Sequence, residues 1–513
     1  MTLFVGLDIG TSRTKALVIN SRGKLVASSS LDSYNTEFSR PGWAEQDPDD
    51  WWKAVKEVLL AVIEKNEVDP EEISGIGLTG QMHGPVFLDS EGHPLCPCMI
   101  WSDTRAKEES NRISQLVPEV TEITGNPVSS GFTAPKILWM RENNPGLFDR
   151  VRKIVLPKDF IGYKLTGDIF TDPSDASGSL LFDIREGEWN EQILSRLDIN
   201  RDRLPSIENS TSIAGGLRPE VASEFGLSEE VPVIVGAGDL ATSLIGNGAV
   251  RRGSASVTVG TAGQVLAPAG ELRENFLTSL YSFRSPDFEG FFTLGTVPSG
   301  GLSLQWFRDS VSKVESLIEK ETRTIDSFDL LSKQAATAPA GARGLIFLPY
   351  LMGTGNPHLD YTAKGGFIGL TPDHGKSEMI RSIMEGVTMA LKESLEVTEQ
   401  GGAKIESVRL GAGATNSQVW NQIQADIYGR EVQLVNVKDP SPFGAALLAG
   451  VGLDVFSSIE AATDSAVSIT SRIEPDQDRS RRYDELAKIY RETYRSLEKI
   501  FPKMEQFGNL ETS

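Results

Sequence analysis

The chain has 513 residues and carries 50 basic and 71 acidic side chains, which gives a formal charge of −21 at neutral pH. So acidic a chain lacks the basic surface that nucleic-acid phosphates require, and two cysteines cannot form a disulfide framework. Because the sequence also shows no signal-peptide pattern and no apolar run near the ~18–20 residues of a membrane span, we expect a cytoplasmic protein without nucleic-acid or membrane partners.

The first residues predict a series of β-hairpins. Residues 3–7 and 14–20 read as strands around a polar turn at residues 8–12, and residues 25–29 resume the extended pattern. A Walker loop would instead lead from a strand into a helix.

Helical and strand patterns alternate over the next 200 residues. Residues 48–66 predict a helix that starts at Asp47 and Pro48, because apolar residues recur at helical spacing. Residues 73–78 predict a buried strand before a polar loop at 79–84. Residues 231–235 predict another, which runs into a glycine-rich turn and a helix of small residues.

Near residue 250 the pattern starts again, with a strand, a Gly/Thr turn at 260–263 and a returning strand. We interpret this echo of the N-terminal hairpin as a structural duplication, which divides the chain into domains at residues 1–249 and 250–513. The later predicted elements are strands at 345–348 and 408–410 and helices at 376–400, 416–428 and 478–501, the last one peripheral.

Two turns are candidates for binding phosphate. The turn that follows Asp8 contains Gly10, Thr11 and Ser12, so backbone amides and hydroxyls can face an anion, while Asp8 can hold Mg²⁺ directly or through water. By itself this is equally consistent with an ordinary polar hairpin turn. A second such turn, at Gly260 and Thr261, favours two loops that grip a polyphosphate from both sides.

Three further segments place polar groups after strand ends. The turn from Gly411 to Asn416 opens a helix and suits a phosphate or a base edge, although tight packing explains its glycines equally well. Asp239 is placed to take a proton from a hydroxyl, or simply to cap a helix. The loop around His83 carries groups suited to sugar hydroxyls.

The two cysteines, Cys96 and Cys98, do not indicate a metal site. No second pair of cysteines or histidines stands at zinc-binding spacing, so we expect buried free thiols.

Four motifs in chain order resemble the FGGY family of carbohydrate kinases. They run from residue 3 to about residue 450 and are Gly6-Leu7-Asp8-Ile9-Gly10-Thr11-Ser12, Gly131-Phe132-Thr133-Ala134-Pro135-Lys136-Ile137-Leu138-Trp139, Gly365-Gly366-Phe367-Ile368-Gly369-Leu370 with Ser382-Ile383-Met384-Glu385, and Gly413-Ala414 with Trp420 and Gly444-Ala445-Ala446. The resemblance implies an α/β, actin-like (ribonuclease H-like) fold of two domains around a central cleft. ATP would lie mainly on the C-terminal domain and sugar on the N-terminal one.

Within the family, the sequence most resembles the xylulokinase branch. The segments that carry this resemblance are Gly80-Gln81-Met82-His83-Gly84, Leu156-Pro157-Lys158-Asp159, Asp172 with Ser174-Asp175-Ala176, and Glu45-Gln46-Asp47-Pro48. The resemblance implies ATP-dependent conversion of D-xylulose to D-xylulose 5-phosphate, with Mg²⁺ as cofactor, a small sugar as partner, and a homodimer as one possible assembly.

Site roles follow from the same resemblance. Asp239 would be the general base, and Asp8 would support Mg²⁺ and phosphate, with Asp239 also near the metal. The sugar would contact Gln81, Met82, His83, Trp101 and Asp239. The residues expected at ATP are Thr11, Ser12, Lys15, Gly260, Thr261, Gly301, Gln305, Gly413 and Asn416.

Departures from the branch pattern leave the sugar open. Leu240 follows the catalytic aspartate where Asn or Gln is usual, Ala262 replaces a serine, and a charged pair is missing from residues 353–357. The alternatives are a kinase for another ketopentose or polyol, such as ribulose, xylitol or erythritol, and a non-catalytic actin-like ATP-binding sugar sensor. Asp239 weighs against the sensor, because nucleotide binding alone does not require it.

Overall fold

The computed structural model describes residues 2–32, 34–64, 68–272, 279–287, 289–401 and 403–509. It divides into two compact units. Unit 1 comprises residues 1–251, 268–292 and 439–468, and unit 2 comprises residues 252–267, 293–438 and 469–513. Two segments that the sequence division at 249/250 placed in the second domain therefore belong to unit 1.

Unit 1 is built on a six-stranded sheet. Its strands lie in the order Ile213–Gly216, Pro232–Gly238, Ile73–Gly80, Leu3–Ile9, Thr14–Asn20 and Leu25–Leu31. The second, third and fourth of these are mutually parallel, with Ile9 opposite Gly80 and Gly80 opposite Gly238. The carboxyl ends of three strands therefore meet at one edge of the sheet.

Burial explains why these segments form central strands. Every residue of Leu3–Ile9 is buried, as a parallel strand covered on both faces requires. The helix Pro48–Glu64 packs against the neighbouring hairpin strands and buries Trp51, Val55 and Leu59 at helical spacing. The expected helix ran to residue 66, and residues 65–67 lie outside the described residues.

The helix Pro440–Gly452 is part of unit 1 because it lies against the same sheet at very short distance. A Cβ on Gly6 would stand 1.9 Å from the carbonyl oxygen of Pro442, and one on Gly77 would stand 2.0 Å from that of Ala445. The small residues Gly444–Ala446, which are part of the fourth family motif, serve this close packing in unit 1.

Unit 2 repeats the arrangement of unit 1. In its sheet lie, side by side, Phe291–Val297, Gly263–Ala269, Ser254–Val259, Ser407–Gly411, Val432–Val435 and Ile469–Ile473. The strand Ser254–Val259 is antiparallel to Gly263–Ala269 and parallel to Ser407–Gly411. An antiparallel hairpin joined to a parallel strand thus occurs in both units, as the expected duplication requires.

The helices that the sequence predicted in unit 2 are present and differ from the expectation only at their ends, whereas the helices Gly301–Ser310, Lys313–Thr322 and Ser327–Thr337 were not predicted. The helix Lys376–Gln400 has the expected bounds. Gln418–Tyr428 starts two residues late, because Gly413–Asn416 forms a 3-10 turn before it. The helix Gln477–Leu497 corresponds to the expected C-terminal helix but ends earlier, and a further helix, Phe501–Asn509, follows it.

The remaining elements are shorter. The other strands are Glu45–Gln46, Val86–Leu88, Cys98–Met99, Lys153–Val155, Phe170–Thr171, Phe182–Asp183, Glu188–Trp189, Ser206–Ile207, Tyr281–Arg284, Ile346–Leu348 and Gly366–Ile368. The other α-helices are Lys107–Leu116, Val120–Thr124, Thr133–Asn143, Pro145–Phe148, Pro157–Thr166, Pro173–Ser177, Glu191–Leu197, Pro219–Phe225, Asp239–Gly246, Gly301–Ser310, Lys313–Thr322, Ser327–Thr337 and Ile459–Ala466. Short 3-10 helices also occur at Pro70–Glu72, Arg201–Arg203 and Ala342–Gly344. Among the residues described, no helix combines the length and apolarity that crossing a bilayer demands.

Candidate active site

The carboxyl edge of the parallel strands in unit 1 gathers the predicted polar residues. Asp8 is the penultimate residue of Leu3–Ile9, the loop with His83 follows Ile73–Gly80, and Asp239 directly follows Pro232–Gly238. Open α/β sheets bind ligands at this edge, where strands end and loops begin. The register of the three strands therefore explains why residues far apart in sequence meet here.

Asp8 and Asp239 form a pair of carboxyl groups, of which Asp8 is buried and Asp239 is partly buried. Burial raises the pKa of Asp239 to about 7, and the charge of Asp8 raises it further. Burial likewise raises the pKa of Asp8 to about 7, although Lys15 acts against this shift. Asp8 Oδ1 has no hydrogen-bond partner within the described part of the chain. The pair is therefore suited to accept a proton or to face a cation.

Asp239 is the first residue of the helix Asp239–Gly246, and Gly238 occupies the capping position before it. Hydrogen bonds from the backbone N–H groups of Asp239 and Leu240 lower the pKa of the Asp239 carboxyl, against the larger effect of burial. The helix N-terminus thus holds this carboxylate at the strand end. Capping the helix does not prevent the carboxylate from acting on a ligand.

Gln81 is buried and holds the first hairpin turn through Gln46. Its Nε2 donates to Gln46 Oε1 at 2.8 Å, and Gln46 Nε2 donates to the carbonyl oxygen of Thr11 at 2.7 Å. Trp101 Nε1 donates to Thr11 Oγ1 at 2.9 Å from a half-exposed ring. Thr11 is therefore positioned from two sides, while Gln81 Oε1 has no partner among the described residues.

The other two residues predicted at this turn differ in their environment. Ser12 is exposed. Lys15 forms an ion pair with Asp439, so its ammonium already has an anionic partner. Among the groups expected to contact phosphate in unit 1, the hydroxyls of Thr11 and Ser12 are therefore better placed than the ammonium group of Lys15.

His83 presents a neutral ring. Its Nδ1 lies 2.8 Å from the carbonyl oxygen of Gly178, so Nδ1 carries the proton and Nε2 is left as an acceptor. Burial lowers the pKa of His83 to about 4, which keeps the ring uncharged at neutral pH. The ring packs on Phe132 with centroids 4.7 Å apart. Met82 is buried beside it against Gly238.

A buried charge cluster behind Asp239 was not predicted as part of the site. Lys158 Nζ lies 2.6 Å from Asp159, 3.3 Å from Asp172 and 3.9 Å from Asp175, and all four side chains are fully buried. Burial raises the pKa of Asp175 well above its usual value, and the charge of Asp239 is one of the further causes.

The cluster is tied to the strand that ends at Asp239. The N–H of Gly238 donates to Ser174 Oγ at 3.0 Å, and Ser174 Oγ donates to Asp172 at 2.5 Å. The sequence did contain a signal, because the segments with Lys158 and Asp159 and with Asp172 and Asp175 are among those that carry the resemblance to the xylulokinase branch.

The residues predicted for ATP in unit 2 meet at a second strand edge. The N–H of Gly301 donates to the carbonyl oxygen of Gly260 at 2.7 Å, and that of Leu302 donates to Thr261 at 3.0 Å. The hairpin turn and the start of the helix Gly301–Ser310 are thus joined. Both N–H groups are used within the protein, so any phosphate must bind to other donors there.

The glycine-rich turn of unit 2 lies beside the hairpin turn. Thr258 pairs with Gly411 in parallel register, and a Cβ on Gly260 would stand 3.8 Å from that of Ala412. Apart from its neighbours in the chain, no atom of the described residues lies within 4 Å of a Cβ placed on Gly413. The open space at Gly413 therefore favours ligand binding over tight packing as the reason for a glycine at this position. Gln305 and Asn416 are exposed in the same unit.

Neither cysteine is poised for metal binding or catalysis. Burial raises the pKa of both thiols, and Cys98 is fully buried. Among the described residues, no group of three or more His, Cys, Asp or Glu side chains is arranged to hold a metal ion. The Asp8–Asp239 pair offers only two carboxylates. Such a pair suits a metal ion whose other ligands are phosphate oxygens.

Family models for the N-terminal and C-terminal domains of FGGY carbohydrate kinases match residues 3–246 and 255–453. The chain belongs to this family. Xylulose kinase of Bacillus subtilis is 34% identical over 497 residues, which cover 96% of this chain and 97% of that protein. As an FGGY member the protein is a sugar kinase, so the alternative of a non-catalytic sensor is wrong.

Solved structures agree on the fold. A ligand-bound xylulose kinase from Lactobacillus acidophilus matches with a TM-score of 0.90 at 26% identity, over 98% of this chain and 100% of that one. A gluconate kinase from the same organism matches with the same score and identity, over 98% and 99%. The expected actin-like α/β fold is confirmed, whereas fold similarity alone does not select the sugar acid or the ketose.

Proposed function

We propose that this FGGY kinase transfers the γ-phosphoryl group of ATP to a hydroxyl of D-xylulose and forms D-xylulose 5-phosphate. The observation that carries the proposal is the carboxyl group of Asp239, held at a strand end with its pKa raised to about 7. A general base works best when its pKa lies near the operating pH. The full-length similarity to xylulose kinases supports the choice of sugar.

In the proposed reaction, Asp239 accepts the proton of the attacking sugar hydroxyl. His83 Nε2 accepts a hydrogen bond from a second hydroxyl, since its ring is neutral and its Nδ1 already donates to Gly178. The buried Met82 and the half-exposed Trp101 supply apolar surface, and Gln81 supplies its unpartnered amide oxygen. Orientation of the hydroxyl by these groups accounts for much of the acceleration that phosphoryl transfer needs.

Nucleotide contacts are proposed in each unit separately. Thr11 and Ser12 offer hydroxyls in unit 1, and Gly260 and Thr261 form the corresponding turn of unit 2. Gly301, Gln305, Gly413 and Asn416 border the nucleotide in unit 2. Lys15 is proposed to hold Asp439 rather than a phosphate, because the two side chains form an ion pair.

Magnesium would enter as the metal of Mg·ATP. The unpartnered, buried Asp8 Oδ1 and the neighbouring Asp239 form an all-oxygen, negatively charged pair of the kind that Mg²⁺ prefers. Bound there, directly or through water, Mg²⁺ would neutralise negative charge on the phosphates.

A second candidate substrate class is another ketopentose or a polyol. Leu240 is 9% exposed and directly follows Asp239, at a position where a polar side chain would bind a hydroxyl. Without that partner, the site discriminates less between sugars that differ in one hydroxyl.

The test is a coupled ADP-release assay with D-xylulose, D-ribulose, L-ribulose, xylitol and glycerol. We expect the highest kcat/KM with D-xylulose, a loss of about 10²–10⁴-fold in kcat for Asp239→Asn with ATP binding retained, and a raised sugar KM for His83→Ala. Leu240→Asn should narrow the sugar range. The best activity on glycerol, or wild-type turnover in Asp239→Asn, would overturn the proposal.

A further inference from the structure

Lys136 is a fully buried cation with an unusual set of partners. Its Nζ donates to the main-chain carbonyl oxygens of Gly131 at 2.6 Å, Ile100 at 2.8 Å and His83 at 3.4 Å. No carboxylate in the described ranges lies within 4 Å of this ammonium. Burying a cation without a counter-ion is costly, so these hydrogen bonds must offset the lost hydration.

Two of the three carbonyl groups belong to segments of the proposed sugar pocket, and the third belongs to a segment that packs against it. One belongs to His83 itself, and the other two belong to the residues directly before Trp101 and Phe132. Phe132 packs against the His83 ring. One ammonium group therefore fixes the relative positions of three segments, which lie at His83, Ile100 and Gly131.

The backbone of His83 needs this support. Its φ angle is 72°, in the left-handed region that residues with a Cβ seldom adopt. Such a conformation persists only where surrounding contacts determine it, and it occurs often at ligand sites. Besides Lys136, Thr133 Oγ1 donates to the His83 carbonyl oxygen at 3.1 Å.

We propose that Lys136 is a positioning residue for sugar binding, which acts by holding these three segments with its charged ammonium group. The inference rests on the proposed sugar site of unit 1. An ammonium group has three N–H donors for three carbonyl groups, whereas a neutral amine has two and turns a lone pair towards the third. Loss of the proton therefore loosens the pocket and weakens sugar binding.

Among the ionisable groups around the Lys136 ammonium, Lys136 itself is the one that titrates near neutral pH. Burial lowers its pKa to about 7, with smaller contributions from Cys98, Asp103 and Arg105. The Cys98 thiol and the His83 ring stay neutral, since burial raises the pKa of the first and lowers that of the second. Arg105 is paired with Asp103 and Glu45.

The first test compares Lys136→Met with Lys153→Met, using the best sugar of the wild-type panel. Lys153 also donates to a main-chain carbonyl, that of Asp202 at 2.8 Å, but at an exposed position outside the site. We expect Lys136→Met to raise the sugar KM about tenfold or more, with kcat and the ATP KM within about threefold of wild type. Lys153→Met should leave all three constants unchanged.

The second test needs no change at Lys136. In the double variant Asp8→Asn/Asp239→Asn, which removes the two carboxyl groups whose pKa is raised to about 7, calorimetry measures sugar affinity without ATP from pH 6 to 8.5. We expect affinity to fall about tenfold across this range, with proton uptake on binding above pH 7.

The outcomes separate the inference from the proposed function. A wild-type protein inactive on every sugar of the panel overturns both. An active wild type with an unchanged sugar KM in folded Lys136→Met, or with a pH-independent sugar affinity in the double variant, overturns the inference alone. If Lys136→Met fails to fold, the pH dependence of the double variant decides.

Discussion

The carboxyl groups of Asp8 and Asp239 determine how the kinase should respond to pH. Asp239 acts as a base only when ionised, and burial together with the charge of Asp8 raises its pKa to about 7. Its ionised fraction, and with it kcat, should therefore rise between pH 6 and pH 8. A carboxylate with an ordinary pKa would give no such rise in this range.

The change Asp8→Asn should move this rise of kcat, the acid limb of the pH profile, to lower pH. Removing the Asp8 charge stabilises the ionised form of Asp239, so the pKa of Asp239 falls. We expect kcat itself to drop as well, because the proposed magnesium contact of Asp8 is lost. The measurement is kcat against pH at saturating substrates. Asp149→Asn, at an exposed position, is the control and should leave the limb in place. An unmoved limb in Asp8→Asn would show that the two carboxyl groups do not interact.

At the scale of single residues, sequence motifs identified the residues at strand ends and included Lys136 and Lys158, but they assigned these two lysines no role. Asp8, His83 and Asp239 follow recognisable turns. Lys136 and Lys158 lie inside ordinary helices, and only packing shows that their ammonium groups face carbonyl oxygens or carboxylates instead of water.

At the scale of elements, the active edge of unit 1 depends on a helix that approaches the strands very closely. A Cβ on Gly77 would meet the carbonyl oxygen of Ala445, within Pro440–Gly452, at 2.0 Å. The clash involves main-chain atoms, so no side-chain rotation relieves it. The strand or the helix must move, and the strand Ile73–Gly80 leads directly into the loop of His83.

We therefore expect Gly77→Ala to destabilise the protein by about 1–3 kcal/mol or more and to lower activity on sugar. Gly146→Ala is the matched control, because no atom lies within 4 Å of a Cβ at that position. Thermal unfolding of both variants, with and without sugar, checks the prediction. Equal melting midpoints for the two variants would contradict the close packing.

At the scale of the whole molecule, the charge of the site discriminates between a neutral sugar and a sugar acid, whereas the fold does not. Asp8 and Asp239 place negative charge at the strand edge of unit 1. The buried or half-buried lysines described nearby are already engaged, Lys15 with Asp439, Lys136 with carbonyl groups and Lys158 with three aspartates. This arrangement favours a neutral sugar over a sugar acid, whose carboxylate would be repelled.

Gluconate should accordingly be a poor substrate, with kcat/KM about 100-fold or more below that of D-xylulose. The prediction matters because a gluconate kinase shares the fold with a TM-score of 0.90. The ADP-release assay with both compounds at low ionic strength measures the ratio. Comparable kcat/KM values would mean that a cation outside this edge binds the carboxylate.

The sequence by itself determined the family, the duplicated α/β architecture and the residues of the strand-end turns. These features are local, because glycines, hydroxyls and carboxylates at fixed spacing already specify a turn and its chemistry. The tertiary structure alone decided which carboxyl groups share a raised pKa, which lysines are buried, and that residues 439–468 return to the first sheet. Each of these depends on contacts between segments far apart in the chain, and neither periodicity nor motif spacing records such contacts.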